Sequence, residues 1–292
     1  MKKNILYKFC FSLLIIGNVF SQETFNPFQA YGPSGAFVYK DLKAALKEYD
    51  NVFKLDLSNQ AIEPKLFLKM GKLTNVQVLA FANNTITELP ADIGKFSSLM
   101  YLSSRGNELK NLPAGFGNLS SLMHLELHDI KLDSLPNEFE GLSKLKIFHI
   151  QSNKADTFSL PLSFGYLSSL SELLIYNATL DTLPKSFQYL QNLKSLTLVQ
   201  CKIHYLTGKI GYLENLEELV LDNNTLDELP TRIYHLKNLR YLSLRNNKFS
   251  KLSGHICYLK NLTMLDVRDN SISDQEAAVI RALLPGCKVL YK

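Results

Sequence analysis

The sequence lacks the features that mark most enzymes, membrane proteins and nucleic-acid-binding proteins. It has no tryptophan, only 4 cysteines in 292 residues and a net charge of +5. It shows no glycine-rich phosphate loop, no paired metal-binding motif and no nucleophile elbow. So small a net charge gives no electrostatic reason to expect a nucleic acid or an acidic membrane as partner. We therefore expect a protein that is not an enzyme, holds no cofactor and acts by binding.

The N-terminus carries the one apolar run that resembles a targeting segment. Lys2, Lys3 and Lys8 precede the apolar residues Phe9 to Ile16, which are too few to span a bilayer. This pattern predicts a signal peptide over residues 1–21, cleaved after Ser21, and an uncleaved anchor is the less favoured alternative. We expect a secreted, periplasmic or cell-surface protein with no transmembrane segment after cleavage. Without the three lysines the net charge falls to +2.

Three cysteines remain after that cleavage, namely Cys201, Cys257 and Cys287. A disulfide between Cys257 and Cys287 would suit an oxidising compartment, but spacing alone does not show that the two Cα atoms approach. Three free thiols are the preferred interpretation.

A short pattern recurs through most of the chain. The block Leu216 to Leu226, LEELVLDNNTL, has apolar residues at positions one, four, six and eleven, and copies recur almost every 23 residues. Such a period predicts a solenoid, in which each unit packs only against its neighbours. The ten copies, numbered here as repeats one to ten, begin at Val52, Val76, Leu99, Leu122, Leu145, Leu170, Leu193, Leu216, Leu239 and Leu262.

Within each copy, the alternation predicts a strand. Leu219 and Leu221 share the core face, whereas Glu218, Val220 and Asp222 lie on the other face. Ten such strands would form a curved parallel sheet about 45 Å long. A proline recurs in the segment that follows most strands and excludes a long helix there, so we expect short turns and 3₁₀ pieces on the convex side.

Position nine of the block is commonly asparagine, which can bond the turn backbones of successive coils when buried. This column contains Asn84, Asn107, Asn153, Asn224, Asn247 and Asn270. Ile130 and Ala178 interrupt it, and we expect water or the adjacent Asp129 and Asn177 to replace the lost bonds. Gln60 and Cys201 also replace asparagine at this position.

The spacing L-x-x-L-x-L-x-x-N-x-L resembles the leucine-rich repeat family, in its 23-residue bacterial type, from about Val52 to Ile272. The resemblance implies an α/β solenoid, a horseshoe with a parallel concave β-sheet and a function in protein–protein interaction. We divide the chain into the signal peptide (1–21), an N-terminal arm and capping helix (22–51), ten repeats (52–272) and a C-terminal cap (273–292).

Both flanks of the repeats contain helical patterns. Residues Lys40 to Tyr49 place Leu42, Ala45, Leu46 and Tyr49 on one face of a predicted capping helix, after an irregular arm. At the other end, Ser273 is expected to cap a helix that runs to Leu284, followed by a last strand. Repeat five has two extra residues, which predicts a bulging loop between Lys154 and Leu160.

Positions three, five and seven of each strand form the expected concave binding face. An apolar patch on repeats five to eight stands out there, and exposed apolar patches rimmed by charge commonly bind partners. Scattered exposed apolar residues are the ordinary alternative. The candidate ligand-binding residues are Glu126, His128, Ile147, His149, Glu172, Leu174, Tyr176, Val199, Val220 and Arg245.

A histidine group lies beside this patch. His124 and His128 are about 13 Å apart along one strand, too far to share a metal ion. A flat sheet also gives Glu126, His128 and His149 little chance to converge, so we predict no metal site. Instead, Glu126 and His149 are expected to form an ion pair below about pH 7.

A second column falls on the convex side, and its members are Tyr166, Tyr189, Tyr212, His235 and Tyr258. We expect these rings to pack coil against coil. The alternative function, carbohydrate binding at a cell surface, would use such exposed aromatic columns.

Overall fold

The computed structural model describes residues 25–152, 157–180 and 182–292, so the predicted signal peptide and Asn153 lie outside the described residues. A parallel sheet of 12 strands runs through the molecule in sequence order, and a sheet of 2 strands lies beside it. The large sheet comprises β1 Val38–Tyr39, β2 Lys54–Asp56, β3 Val78–Ala80, β4 Tyr101–Ser103, β5 His124–Ile130, β6 Ile147–Ser152, β8 Glu172–Tyr176, β10 Ser195–Val199, β11 Glu218–Val220, β12 Tyr241–Ser243, β13 Met264–Asp266 and β14 Lys288–Leu290. The small sheet comprises β7 Thr157–Phe158 and β9 Thr179–Leu180.

The strand register follows the repeat. Leu196 pairs with Leu219, which pairs with Leu242, so equivalent leucines stack from coil to coil. These leucines are fully buried. The solenoid core is therefore a continuous ladder of apolar side chains, and the predicted horseshoe with its parallel sheet is confirmed.

Most of the described coils leave their strand through a residue with a left-handed backbone. Asn223, Asn246 and Asp269 have φ of 57°, 51° and 57°, a region that Asn and Asp tolerate better than most residues. The next residue is the column asparagine. Asn224 Nδ2 donates to the carbonyl oxygens of Leu198 and Leu221 at 2.8 and 2.9 Å.

The same arrangement recurs at Asn84, Asn107, Asn247 and Asn270. Where Ala178 interrupts the column, Asn177 Nδ2 donates to the Ser152 carbonyl at 3.0 Å. Cys201 Sγ donates to the Ile175 carbonyl at 3.4 Å, so its thiol bonds backbone as an asparagine amide would.

The convex side consists of short 3₁₀ turns, as predicted. Most of them follow a proline, and Thr207 and Ser253 replace that proline with a hydroxyl that accepts from the turn backbone. The turns span Leu68–Lys72, Ala91–Lys95, Ala114–Asn118, Asn137–Gly141, Leu162–Tyr166, Lys185–Tyr189, Gly208–Tyr212, Thr231–His235 and Gly254–Tyr258.

A stack of buried phenylalanines fills the space beneath four of these turns. The rings of Phe139, Phe164 and Phe187 lie nearly parallel, with centroids 6.0 and 6.4 Å apart along the stack. Phe116 stacks on Phe139 at 6.1 Å. These rings pack the convex layer onto the leucine ladder.

The N-terminal flank differs from the prediction. The helix expected over Lys40 to Tyr49 is only the single turn α2 (Leu42–Ala45), and Tyr49 is 47% exposed at the start of a separate 3₁₀ turn. The arm expected to be irregular contains the helical turn α1 (Pro27–Ala30) and then β1, which pairs with β2. Leu42 and Ala45 of α2 are buried in the core and Leu46 packs against it, whereas Tyr49 lies beyond the turn and is exposed.

The extra residues of repeat five also differ from the prediction. The described part of the segment contains β7, which pairs in parallel with β9. A pairing partner in the following coil therefore turns part of the expected loop into sheet. A further helical turn, α3 (Pro64–Phe67), opens the convex segment of the first repeat.

The C-terminal flank contains helix α4 (Asp274–Leu283) and strand β14. Ser273 Oγ accepts from the Glu276 N–H at 3.1 Å, and Glu276 Oε1 accepts from the Leu252 N–H at 3.1 Å. The first bond caps the N-terminus of α4, and the second joins α4 to the last coil. Within the described residues, no helix has both the length and the apolar character to cross a bilayer.

Candidate functional site

The candidate binding residues all fall on the concave side of the large sheet. Nine of them lie within strands β5, β6, β8, β10 and β11, and Arg245 follows two residues after β12. The parallel register places Glu126 beside His149 and His149 beside Leu174. The sheet therefore brings neighbouring candidates together in pairs, and its strands hold their backbones in a fixed register.

The N-terminal arm lies across the first part of this face. Lys54 Nζ on β2 donates to the Phe28 carbonyl at 2.7 Å. The Tyr31 ring stacks on Tyr101 of β4 with centroids 5.9 Å apart, and the Phe25 ring lies 5.4 Å from His124 of β5. The arm thus contacts the strands of the early repeats, which the sequence did not predict.

Glu126 is the centre of a buried polar network beside the arm. Its Oε2 accepts from Tyr101 Oη and Arg105 Nε, each at 2.9 Å, and its Oε1 lies 3.3 Å from His124 Nε2. Burial alone would raise the pKa of this carboxyl, but the His124 contact and the Arg105 charge hold the pKa well below its usual range. Glu126 is therefore ionised.

The predicted ion pair between Glu126 and His149 is wrong in its partners. The two residues are cross-strand neighbours, but His149 Nε2 lies 2.8 Å from Glu172 Oε1 on the following strand. Side chains lean along their strands, so a diagonal partner can be nearer than the residue directly opposite. His128 has a pKa lowered to about 4, chiefly by burial and also by the Arg105 charge, so it is neutral at pH 7.

The apolar patch forms a second hydrophobic cluster, separate from the solenoid core. Val199, Val220 and Tyr241 are buried within it, and Tyr176 and Met264 pack against them. We define these five side chains as the concave apolar cluster. Tyr241 and Met264 were not predicted, although their column at position three adjoins the valine column.

The exposure of the patch differs from the prediction. Leu174, Val199 and Val220 are buried, with exposed fractions of 6%, 1% and 3%, and Ile147 and Tyr176 are half-buried. Side chains on strands about 4.8 Å apart cover one another when they are apolar and large. The cluster therefore offers its tyrosine and methionine edges rather than its valines.

A group of charged residues follows the C-terminal ends of strands β11 to β13. Asp222 accepts from Ser243 Oγ at 2.5 Å and from the Arg245 N–H at 3.0 Å. Burial raises the pKa of Asp222 to about 6, and the Asp266 charge adds to that rise. The Arg245 side chain pairs with Asp269, with Nε 2.6 Å from Oδ2.

The convex tyrosines contact one another and their neighbours. The Tyr166 and Tyr189 rings stack with centroids 5.7 Å apart, and the Arg232 guanidinium lies 3.7 Å from the Tyr212 ring centroid. A sugar would stack on the same ring faces that these contacts use. This geometry agrees with coil-to-coil packing, and carbohydrate binding stays a prediction.

The cysteines in the described residues are unpaired. Cys201 is buried, and Cys257 and Cys287 are half-buried. Burial raises the pKa of Cys201 to about 12, which makes its thiol unreactive at pH 7.

Several solved structures share this fold. The chain resembles the leucine-rich repeat domain of the type III effector XopL, with 22% identity and a TM-score of 0.62 over 86% of this chain and 88% of that one. It also resembles the functional domain of InlJ from Listeria monocytogenes, with 21% identity and a TM-score of 0.65 over 83% of this chain and 52% of that one.

A third similar structure is the ectodomain of the plant receptor kinase GASSHO1/SCHENGEN3 from Arabidopsis thaliana, in complex with CASPARIAN STRIP INTEGRITY FACTOR 2. The identity is 26% and the TM-score 0.62, over 82% of this chain and 32% of that one. No curated protein sequence matches the chain.

Family models match two stretches of the sequence. A model described as a leucine-rich repeat region matches residues 41–157, and one described as a leucine rich repeat matches residues 214–272. Together these matches cover more than half of the 292 residues. The chain belongs to the leucine-rich repeat family.

Proposed function

We propose that this protein binds a protein partner through the concave sheet between β6 and β13, and that the partner places an apolar side chain against the concave apolar cluster. Leucine-rich repeat domains are generally binding scaffolds and commonly take protein ligands. The observation that carries the proposal is the cluster itself. It lies on the opposite side of the sheet from the core, so the stability of the leucine ladder does not require it.

Charge around the cluster supports the choice of a polypeptide partner. Glu172 and Glu218 lie at the entry of their strands, whereas Arg245 and Arg268 lie at the exit of theirs. A mixed rim of this kind orients a partner that carries both signs of charge, and aromatic side chains with arginine are frequent hot spots. The GASSHO1 ectodomain, which is similar in fold, was solved with a bound factor.

The experiment compares one concave variant with one convex variant. Tyr176→Asp combined with Met264→Asp changes the half-buried edges of the cluster, whereas Tyr189→Asp changes a convex ring that is 51% exposed. Each protein is used to capture partners from an extract of the source organism, and the affinity for any purified partner is then measured.

The proposal requires a partner that the parent and the convex variant bind equally and the concave variant binds at least about 30-fold more weakly, because hot-spot losses reach 2 kcal/mol or more. Equal binding by all three folded proteins would refute the proposed site. Circular dichroism and melting temperature establish that the variants are folded.

We also propose that the protein is exported, on the strength of the N-terminal sequence. Mass spectrometry of the purified native protein tests this step, and a mature N-terminus at Gln22 is the expected result. A native protein that is found in the cytoplasm and still carries residues 1–21 would contradict export.

A further inference from the structure

A group of metal-ligand side chains lies within the polar network beside the arm. His124, Glu126 and His149 each direct one ligand atom so that these atoms lie within 4.8 Å of one another, and all three residues are buried. No metal site was predicted from the sequence, because His124 and His128 are too far apart and a flat sheet gives Glu126, His128 and His149 little chance to converge. The combination of His124 with His149 was not considered. The strand register explains the convergence, since Glu126 pairs with His149 and His124 precedes Glu126 by two residues on the same face.

The distance between the ligand atoms of His124 and Glu126 suits tetrahedral coordination. Two ligands that each lie 2.0–2.1 Å from zinc at a tetrahedral angle are about 3.3 Å apart. His124 Nε2 and Glu126 Oε1 are 3.3 Å apart. The ring centroids of His124 and His149 lie 5.7 Å apart and their planes are steeply inclined, so the two imidazoles do not stack face to face.

His124 is otherwise an unexplained side chain. It is 5% exposed, and among the described residues neither of its ring nitrogens has a hydrogen-bond partner. The 3.3 Å contact with Glu126 is not aligned as a hydrogen bond. Buried polar atoms nearly always have a partner, and a bound metal ion would supply one for the His124 imidazole.

The surrounding residues resemble the outer shell of a metal site. Tyr101 and Arg105 both donate to Glu126 Oε2, which fixes the carboxylate and leaves Oε1 beside His124. Glu172 contacts His149 at 2.8 Å and adds a second negative charge. Carboxylates and donors of this kind orient the ligands of metal sites.

We propose that His124, Glu126 and His149 bind a Zn²⁺ ion on the concave face. Two imidazoles and one carboxylate favour zinc over calcium or magnesium, which take oxygen ligands. Three protein ligands leave a fourth position for water. The site joins β5 to β6 and lies beside Phe25 of the arm.

The test measures zinc binding to the full chain after dialysis against a chelator. Competition with a chromophoric chelator gives the affinity, and elemental analysis gives the stoichiometry. The parent should bind one Zn²⁺ per chain at this site, and Co²⁺ in its place should show the visible absorption of tetrahedral coordination. Binding should weaken as the pH falls, because imidazole must be neutral to bind a metal.

Variants locate the ion. His124→Ala, His149→Ala and Glu126→Gln should each weaken binding by more than about 100-fold, because even outer-shell changes cost about 10- to 100-fold. Glu126→Gln keeps the shape of the side chain and serves if an alanine variant fails to fold. His128→Ala, a change on the same strand, should bind as the parent does.

Cys257 and Cys287 are half-buried thiols of a kind that can bind zinc, so a Cys257→Ser, Cys287→Ser double variant should also bind like the parent. No zinc binding by the folded parent would overturn the proposal. So would undiminished binding by the folded Glu126→Gln and His149→Ala variants, which would place the ion elsewhere.

Discussion

Replacing Asn224 with alanine should cost about 2–4 kcal/mol of unfolding free energy, the combined effect of the groups that it leaves unpaired. Its Oδ1 accepts from the Cys201 and Ile203 N–H groups at 3.0 and 3.1 Å. Its Nδ2 donates to the carbonyls of Leu198 in the preceding coil and Leu221 in its own coil. Each buried N–H that loses its only acceptor costs about 1–3 kcal/mol, and partial relaxation reduces the sum.

The matched control removes a more weakly bonded amide. Within the part of the chain that the structure describes, the Asn177 side chain makes one bond, from Nδ2 to the Ser152 carbonyl at 3.0 Å. Its backbone is left-handed with φ of 51°. Glycine is the proper replacement, because alanine at this φ would add backbone strain. Asn177→Gly should cost about 1 kcal/mol, the net value of one hydrogen bond.

Urea denaturation followed by circular dichroism and by tyrosine fluorescence measures both losses. Coincident transitions justify a two-state analysis of this repeat protein. Equal losses in the two variants, or a loss below about 1 kcal/mol at Asn224, would refute the assignment of the column asparagines as the main polar support of the coils.

Three further results are expected. Phe164→Ala should cost about 3–5 kcal/mol in urea denaturation, because the buried ring stacks on Phe139 and Phe187, and a loss no larger than that of Phe164→Leu would contradict this. The stability of Asp222→Asn relative to the parent should rise by about 2–3 kcal/mol between pH 4 and pH 7, because a folded pKa of about 6 means that the folded parent loses a proton over this range. A stability difference that does not change with pH would contradict this. Glu172→Ala and Arg245→Ala should slow partner association at low salt and have little effect at high salt, as stopped-flow rates would show, and salt-independent effects would exclude steering by these charges.

The repeat explains why so much of the fold was predictable. A strand at Glu218 has the same environment as its neighbours at Ser195 and Tyr241, so one correct assignment extends to all coils. The left-handed residue and the column asparagine recur for the same reason. The 3₁₀ turns follow from a proline that excludes a longer helix.

The parts outside the period were predicted less well. Phe25 contacts His124 and Tyr31 contacts Tyr101, across separations of 99 and 70 positions in the sequence. Both separations exceed the reach of any local pattern. An arm without a repeat has no neighbouring copy to reveal its path. The aromatic residues among glycine and proline were the only sign that this segment packs against something.

The concave side chains show a different limit. The register of Glu126 and His149 was predicted, but the side-chain partners were not, because rotamers and not strand spacing decide whether Glu126 meets Arg105, His124 or His149. Likewise, the valines of the concave apolar cluster were placed on the right face, yet their burial depends on the size of Tyr176 and Met264 beside them.

The two proposed sites adjoin at β6 and extend in opposite directions along the solenoid, and this arrangement has a physical basis. Equivalent backbones allow each coil to carry any side chain at positions three, five and seven, so polar and apolar chemistry can occupy separate coils of one rigid sheet. The histidine site lies beside Phe25 of the arm, whereas Tyr241 and Met264 lie at the far end of the sheet. A partner seated on Tyr241 and Met264 therefore need not displace the arm, whereas a partner that extends to β6 would meet His149, one of the proposed metal ligands.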